Sequence, residues 1–248
     1  MICEFDDFDI AAFSSTAAAF GCWRYGYVVT PNVDHLVRYC DDPAFRTLYY
    51  SAQYVLLDSR VVAIAMRLLT GMQLHVCPGS DLTADLLGRV ASPTDRIILI
   101  GGNVYQANQI AASYGLTDVH HHNPPMGFIS NAEATENCLR FIEARSPFRF
   151  CFLAVGSPQQ EILAQLLLAR DRARGLALCV GAALNFITGA ERRAPRWMQE
   201  LALEWLYRLA LDPRRLAHRY LVRGPRIFGY LLQRRLALHP RGPQALQA

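Results

Sequence analysis

Short apolar runs alternate with segments of helical periodicity from residue 25 to residue 180. Each run is rich in β-branched or aromatic residues and is followed by Gly, Pro, Asp or Asn, the pattern of a buried strand that leaves a sheet. This pattern predicts strands at 25–30, 54–57, 73–76, 96–100, 118–121, 149–155 and 176–180. Helices are predicted near 32–41, 43–52, 60–70, 81–90, 103–114, 131–145 and 158–174. The alternation predicts an α/β fold with a Rossmann-like, mainly parallel sheet and helices on both faces.

The pattern is different at the two ends of the chain. Residues 1–24 are acidic and then alanine-rich, and we interpret them as a variable lead-in to an α/β core at 25–190. Residues 191–248 predict a basic, amphipathic helical C-terminal appendage. Its first helix begins with a proline and carries large apolar side chains at i, i+4 spacing: Trp197, Leu201, Trp205 and Leu209. Asp212-Pro213 opens a second helix, and Gly224-Pro225 separates it from a last helix at about 226–238.

The appendage also differs from the rest of the chain in charge. All 25 basic residues are arginine, and residues 1–190 hold 13 of them against 17 acidic residues, a net charge of −4. Residues 191–248 hold 12 arginines against 4 acidic residues, a net charge of +8. Arginines interleaved with Trp, Tyr, Phe and Leu suit an anionic membrane surface or phosphate groups. The alternatives are a solvated arginine-rich face and, for the last helix, packing against the core.

Other features limit the compartment and the class of protein. The seven cysteines are scattered and form no Cys-x-x-Cys pair, which fits free thiols in a reducing cytoplasm. The first residues lack the apolar segment of a signal peptide, and no run reaches the roughly 18 apolar residues of a spanning helix. We therefore expect a cytoplasmic protein with peripheral membrane contact. No Walker loop with its lysine is present, which excludes a P-loop NTPase.

The residues that follow the strands are the candidate site, because ligands of such sheets bind beyond the carboxyl ends of the strands. Asp58 follows an apolar strand and is a candidate general base, with the N-cap of the next helix as its alternative role. Gly101-Gly102 either allows a ligand close to the backbone or makes a tight turn. Gly156-Ser157 and Gln160 place backbone N–H groups and amides at a helix N-terminus, which suits sugar hydroxyls or a phosphate.

Three further polar groups have competing interpretations. Thr30 and Asn32 form either a recognition loop beside the base or a cap and turn. Asp81 is interpreted as a helix cap. His120-His121-His122 suggests a metal site, but neighbouring side chains on a strand point to opposite faces, so no metal site is predicted.

A set of motifs between Tyr25 and Tyr220 resembles the WecG/TagA/CpsF glycosyltransferases, glycosyltransferase family 26. In chain order the motifs are Thr30-Pro31-Asn32, Asp58, Gly79-Ser80-Asp81-Leu82, Pro124-Pro125-Met126-Gly127-Phe128, Gly156-Ser157-Pro158-Gln159-Gln160-Glu161, and a block from Arg192-Arg193-Ala194-Pro195 to Pro213-Arg214-Arg215. The resemblance implies an inverting transferase that needs neither metal nor cofactor. Its substrates would be a UDP-sugar donor of a hexose or N-acetylhexosamine and a polyprenyl-diphosphate-linked sugar acceptor. It would act at the inner face of the plasma membrane, in bacterial surface or exopolysaccharide biosynthesis.

The resemblance also implies roles for individual residues. Asp58 would be the catalytic base, Thr30 and Asn32 would lie beside the sugar or the acceptor, and Gln160 would contact the donor. The substrate site would further include Gly101, Gly102, Gly156, Ser157 and Asn185. The appendage would bring arginines to the lipid diphosphate, with Arg192, Arg193, Arg214 and Arg215 as candidates.

The chain departs from the family pattern at three places. Ser59 follows Asp58 where glycine is usual, and Asn185 stands where an aspartate is usual. The arginine that commonly precedes the Gly-Ser-Asp-Leu motif is missing, and Val76 and Cys77 occupy that region, with His75 nearby. These changes imply either a different donor specificity or weakened catalysis.

Alternative functions follow from the same residues. One is a catalytically silent subunit that binds a UDP-sugar or a lipid intermediate in a polysaccharide assembly complex. A dinucleotide-dependent oxidoreductase is disfavoured, because the third glycine of the fingerprint after Gly101-Gly102 is missing. No nucleic-acid partner is predicted, because no recognised nucleic-acid module accompanies the arginines. The apolar helices of the appendage could also pack on a second subunit, so homo-oligomerisation stays open.

Overall fold

The computed structural model describes residues 2–233 and 237–240, and its centre is a parallel sheet. Six strands lie in the order β3-β2-β7-β6-β4-β5, and every neighbouring pair runs parallel. Two further strands, β1 and β8, pair with each other in a second small parallel sheet. The strands are β1 (Ile2–Phe5), β2 (Tyr25–Val29), β3 (Tyr54–Val55), β4 (Arg96–Ile100), β5 (Asp118–His122), β6 (Phe150–Leu153), β7 (Gly175–Cys179) and β8 (Ala237–Pro240).

Helices connect the strands and form most of the C-terminal segment. They are α1 (Ile10–Ala19), α2 (Val33–Asp41), α3 (Pro43–Tyr50), α4 (Arg60–Thr70), α5 (Gly79–Asp85), α6 (Val104–Tyr114), α7 (Ala132–Glu143), α8 (Gln159–Arg170), α9 (Ala183–Ile187), α10 (Arg196–Glu200), α11 (Glu204–Leu211), α12 (Pro213–Ala217) and α13 (Arg226–Leu232). A π-helical turn extends α5 (Leu86–Val90) and another extends α12 (His218–Arg223).

Alternating side chains of the strands build two apolar layers. Tyr27 and Val29 of β2 face one layer, which α2, α3, α4, α7, α8 and α13 cover, whereas Val28 faces the layer that α1, α5, α6 and α9 cover. Because both faces are covered, the central strands are apolar throughout, and every residue of β6 and β7 is buried. The predicted α/β fold with a parallel sheet and helices on both faces is confirmed.

The predicted strand at 73–76 is wrong. These residues run without regular structure, and Gln73 and His75 are exposed. The His75 N–H donates to the Asp7 carboxylate at 2.8 Å instead of joining a neighbouring strand. Regular pairing at the β3 edge is limited to Tyr54–Val55, and beyond it the Cys77 N–H donates to the Leu57 carbonyl at 2.7 Å.

The N-terminal residues pack into the body of the protein. Phe5 of β1 and Phe13 of α1 are buried, and the Phe13 ring meets the Tyr54 ring edge to face with centroids 5.3 Å apart. Helix α1 therefore packs on the sheet through Phe13 and Ala17, whereas its other alanines are exposed. The division of the chain into a lead-in, a core and an appendage stays a prediction.

Two helix predictions in the C-terminal segment are corrected. The predicted helix through Trp197 and Trp205 is interrupted, because Ala202 takes a left-handed backbone (φ 58°) between α10 and α11. The Leu203 N–H donates to the Met198 carbonyl at 2.7 Å and closes this turn. The last helix ends at Leu232, and residues 237–240 form a strand; predicted positions 234–236 lie outside the described residues.

Candidate active site

A crevice at the carboxyl edge of the sheet follows from the topology. The connection after β4 leads to β5 on one side, and the connection after β6 leads to β7 on the other, so the two chains diverge beyond these neighbouring strands. Such divergence is where α/β sheets bind ligands. Gly101 stands at this point with φ 98°, and a Cβ there would lie 2.6 Å from the Ala154 carbonyl oxygen. The structure thus requires glycine at position 101, where β4 and β6 separate.

Asp58 lies at the same edge, beyond β3. Its Oδ1 accepts a hydrogen bond from the Gly79 N–H at 2.9 Å. Burial raises the pKa of this carboxyl to about 6, with a smaller contribution from Glu204, although the Gly79 N–H and the charges of Arg208 and Arg193 oppose the rise. Both arginines and the glutamate that act on Asp58 therefore come from the C-terminal segment.

The alternative interpretation of Asp58 as a helix cap is wrong. Ser59 is the N-cap of α4, and its hydroxyl oxygen accepts the Val62 N–H at 3.3 Å. Serine at the position where the family usually has glycine therefore has a local structural role. The Asp58 side chain therefore faces Gly79 at the carboxyl edge of the sheet, which we call the rim.

Thr30 and Asn32 bound the neighbouring β2 end of the rim. The Thr30 hydroxyl donates to the Cys179 carbonyl at 3.0 Å, which ties β2 to β7. Asn32 caps α2, since its Oδ1 accepts the Asp34 and His35 N–H groups. The same oxygen accepts a bond from the Arg219 guanidinium at 3.3 Å. The cap at Asn32 is confirmed, and the contact of both residues with a sugar stays a prediction.

The segment from Gly156 to Glu161 begins α8 on the other side of the rim. Gly156 takes a left-handed backbone (φ 77°), and nothing lies within 4 Å of a Cβ placed on it, so space is open beside it. Gln160 is buried, and its side-chain oxygen accepts the Gly181 N–H at 2.9 Å. Its amide nitrogen donates to Glu161 Oε1 at 2.8 Å. Burial raises the pKa of Glu161, and the Gln160 amide opposes the rise.

Asn185 belongs to a polar network that joins α6, α9 and the residues that follow α9. Its Oδ1 accepts the Gln106 amide at 3.0 Å, and its Nδ2 donates to Glu191 Oε1 at 3.0 Å. Gln106 in turn receives the Asn103 N–H in the capping box of α6, directly after Gly101-Gly102. The Glu191 carboxylate accepts hydrogen bonds, so a hydrogen-bond donor is favoured at position 185. The asparagine that departs from the family pattern is thus matched by a nearby carboxylate.

The four candidate phosphate-binding arginines have different surroundings. Arg193 binds the Asp81 carboxylate with both Nη atoms, one of them at 2.9 Å, and lies 4.0 Å from Glu204. Arg215 pairs with Asp212 at 2.6 Å, whereas Arg192 and Arg214 are exposed. The structure brings Arg193 close to Asp58 and leaves Arg214 and Arg215 on the exposed side of α12.

The interpretation of Asp81 as a helix cap is wrong. Helix α5 begins at Gly79, and Pro78 occupies the N-cap, so Asp81 lies inside the first turn. Its carboxylate is directed to Arg193, 112 residues further along the chain. This pair joins the C-terminal segment to α5, whose first residue, Gly79, donates the hydrogen bond to Asp58.

Sequence reasoning missed a second arginine cluster beside Asn32. Asp34 lies 3.8 Å from Arg38, 3.7 Å from Arg219 and 3.6 Å from Arg223. Burial lowers the pKa of the adjacent His35 to about 3, and the charge of Arg219 adds to this effect. The i, i+4 spacing of Arg219 and Arg223 marks one basic face, but the sequence does not indicate that this face meets α2.

The three consecutive histidines have separate partners. His120 pairs with Asp118 at 2.7 Å, and His121 contacts the Gly101 carbonyl at 3.1 Å. The His122 ring stacks on Phe141 with centroids 5.0 Å apart. Each imidazole thus has a structural contact of its own on the edge strand β5.

The fold and the rim together define the class. A doubly wound parallel sheet with glycine turns, a helix N-terminus and a partly buried carboxyl at its carboxyl edge is typical of nucleotide-binding α/β proteins. A family model described as the glycosyl transferase WecG/TagA/CpsF family matches residues 3–241. The chain therefore belongs to the WecG/TagA/CpsF glycosyltransferase family, which indicates a glycosyltransferase in cell-surface polysaccharide biosynthesis.

Throughout residues 2–233 and 237–240, no helix has both the length and the apolar character needed to cross a bilayer.

Proposed function

We propose that this chain is an inverting glycosyltransferase with a UDP-sugar donor. It transfers a hexose or N-acetylhexosamine to a polyprenyl-diphosphate-linked sugar at the inner face of the plasma membrane. The observation that carries the proposal is the Asp58 carboxyl at the rim, whose pKa is raised to about 6 by burial. Such a carboxyl is ionised at neutral pH and is still more basic than an ordinary aspartate, as a general base requires.

The proposed reaction uses the two sides of the rim. The Gly79 N–H holds Asp58 Oδ1, so Oδ2 is the oxygen that takes the proton from the acceptor hydroxyl. That hydroxyl attacks the anomeric carbon from the face opposite UDP, its new C–O bond forms as the bond to the UDP oxygen breaks, and the configuration inverts. UDP lies along the crevice at Gly101-Gly102 and Gly156-Ser157, where space is open beside Gly156.

Arginines of the C-terminal segment provide positive charge for the two diphosphates. Arg193 and Arg208 act electrostatically on Asp58 and so lie near the reacting atoms. A guanidinium pairs with phosphate oxygens through a planar fork of N–H donors, which suits it to a departing diphosphate. The exposed Arg192 and Arg214, together with Arg215, are the candidates for the diphosphate of the lipid acceptor.

Membrane contact is supported by exposed apolar side chains on the same segment. Leu221 and Val222 are each 57% exposed beside arginines of the basic face. Deleting the segment is not a clean test, because Ile227 and Leu231 belong to the core. The full-length Leu221→Ser/Val222→Ser variant should bind anionic vesicles at least tenfold more weakly than Tyr105→Ser, which changes a more exposed residue, on α6. Equal binding by the two variants would contradict this contact surface.

Asp58→Asn tests the reaction. With a detergent-solubilised polyprenyl-diphosphate monosaccharide and a panel of UDP-sugars, we expect the variant to lose at least about a thousandfold in kcat. UDP binding measured by calorimetry should stay within about threefold of the parent, since Asp58 faces the acceptor. Wild-type turnover by the variant would show that Asp58 is not the base. If the parent binds UDP and turns over no donor with a confirmed acceptor, a silent binding subunit is favoured instead.

A further inference from the structure

Glu161 is a buried acid that the proposed reaction does not use. Both it and the adjacent Gln160 are about 1% exposed, so neither side chain contacts solvent in the folded chain. Burying a carboxyl costs free energy unless its polar atoms are compensated by hydrogen bonds or charges. The Gln160 amide is such a partner, at 2.8 Å from Glu161 Oε1.

The bond to Glu161 determines which way the Gln160 amide faces. A carboxylate oxygen accepts hydrogen bonds, so the nitrogen end of the amide must point to Glu161. The oxygen end then faces the Gly181 N–H, which can only donate, at 2.9 Å. In a reversed amide, the side-chain oxygen would face the Glu161 oxygen, an acceptor, and the amide N–H groups would face the Gly181 N–H, a donor. Both partners therefore favour the same orientation of the amide, and Glu161 supplies the acceptor for its nitrogen end.

Gly181 occupies a central place at the rim. It follows β7, which lies in the sheet between β2, on the Asp58 side, and β6, on the donor side. The preceding residue, Val180, packs against Gly79: a Cβ on Gly79 would lie 3.5 Å from the Val180 carbonyl oxygen. Gly79 is the residue whose N–H holds Asp58. The turn at Gly181 thus adjoins both the donor crevice and the support of the base.

We propose that Glu161 is a positioning residue that orients the Gln160 amide and thereby holds the turn at Gly181 in the shape that binds the donor. The role in donor binding rests on the proposed function. Glu161 acts through Gln160 and the Gly181 backbone and does not touch the sugar. Removal of its acceptor oxygen leaves a buried amide N–H without a partner, so the amide rotates and releases the Gly181 N–H.

Three variants of the full-length chain separate positioning from general stability. Glu161→Met keeps the length of the side chain but has no strong acceptor. Glu161→Gln keeps an acceptor oxygen and is the conservative rescue. Leu163→Ala is the matched control, because Leu163 is fully buried two residues further on α8 and its truncation destabilises the core without touching the amide.

Hydrogen exchange of the Gly181 amide tests the positioning directly. We expect exchange in Glu161→Met to be at least tenfold faster than in the parent, and exchange in Glu161→Gln to stay within about threefold of it. Leu163→Ala should lower the melting temperature without a selective change at Gly181. Unchanged exchange at Gly181 in Glu161→Met would overturn the proposal, as would equal acceleration in Glu161→Gln.

Donor kinetics test the consequence for function. In Glu161→Met the KM for the UDP-sugar should rise about tenfold while kcat changes less than about threefold, and Glu161→Gln should restore the parental KM. A parental KM in Glu161→Met, or an equal loss in both variants, would overturn the role in donor binding. Failure of the parent chain to bind UDP would contradict the proposed function instead, and the exchange of Gly181 would still decide whether Glu161 orients the amide.

Discussion

The six-stranded sheet buries every residue of its central strands β6 and β7, whereas neither α10 nor α11 of the C-terminal segment has a single buried residue. The sheet is held by apolar contacts on both faces. Residues 191–233 are joined to the rest of the protein largely through arginines, which pair with Asp81, Asp34 and Asp41. The buried apolar side chains of this segment are Ala194, Leu216, Ile227 and Leu231.

The two regions are therefore stabilised by interactions of different strength. Burial of a large apolar side chain contributes about 1.5–3 kcal/mol, whereas an exposed ion pair contributes about 0–1 kcal/mol and weakens with salt. The walls of the site belong to the sheet, whereas part of its charge comes from side chains of the C-terminal segment. We therefore expect loosening of the segment to change the electrostatics at Asp58 before the sheet itself opens.

The largest expected effect contrasts a side chain of the sheet with one of the segment. Leu178 of β7 is fully buried, so Leu178→Ala should lower the free energy of unfolding by about 3 kcal/mol. Leu221→Ala removes the same atoms from an exposed side chain and should cost less than about 0.5 kcal/mol. Urea denaturation monitored by circular dichroism measures both. Similar losses in the two variants would mean that the segment contributes to the core as much as the sheet does.

The next effect concerns the ionisation of Asp58. Its pKa is about 6 in the folded protein and near 3.8 in an unfolded chain, so ionisation costs folding stability. This cost is absent below about pH 4 and complete above about pH 6. The free energy of unfolding of Asp58→Asn, relative to that of the parent, should therefore rise by about 2 kcal/mol between pH 4 and pH 7.5. Leu178→Ala, which changes no ionisable group, is the control. If the difference in the free energy of unfolding between Asp58→Asn and the parent did not change with pH, the raised pKa of Asp58 would be contradicted.

A smaller effect is expected from loosening the segment itself. Asp34→Asn removes the carboxylate that lies between Arg38, Arg219 and Arg223 and leaves their charges to repel one another. Hydrogen exchange should accelerate across 213–233 and stay unchanged in β7, with a global loss of about 1 kcal/mol. High salt should weaken the same region of the parent. Asp212→Asn is the matched control, because it breaks an exposed pair with Arg215 and still leaves a capping side chain. Accelerated exchange in β7 as well would show that segment and sheet open together.

The smallest effect tests the asparagine of the rim. Asn185→Asp replaces the Nδ2 that donates to Glu191 with a carboxylate oxygen, so two like charges meet about 3 Å apart. We expect a loss of about 1 kcal/mol at neutral pH, seen as a lower melting temperature. The double variant Asn185→Asp/Glu191→Gln should recover this loss, because the introduced glutamine amide can donate to the new carboxylate. Without such recovery, Glu191 would not be the reason that asparagine fits at position 185.

Much of the sheet could be predicted because burial on both faces leaves a strong local signal. Strands such as β4 are continuous apolar runs, and each is followed by a polar turn. The weak edge could not be predicted in the same way. Residues 73–76 have the composition of a strand, but the contact of His75 with Asp7, 68 residues earlier, replaces sheet pairing.

The candidate site was predicted in its residues but not in their partners. Asp58 and Gln160 were identified from their place after apolar strands. That Asp81 binds Arg193 and that Gln160 binds the Gly181 N–H depends on contacts between separate segments. That Ser59 rather than Asp58 caps α4 is a choice between neighbouring residues. Capping preferences alone cannot distinguish adjacent residues that can both act as caps.

The α/β alternation, the polar residues after the strands and the concentration of arginines after residue 190 could all be read from the sequence, because hydrophobic period and charge are properties of nearby residues. The strand order and the arginines that meet Asp58 and Asn32 were visible only in the tertiary structure. They depend on pairings between segments that are separate in the sequence, and many such pairings satisfy the same local pattern. Their choice is made by the packing of the whole chain, in which each buried polar group must find a partner.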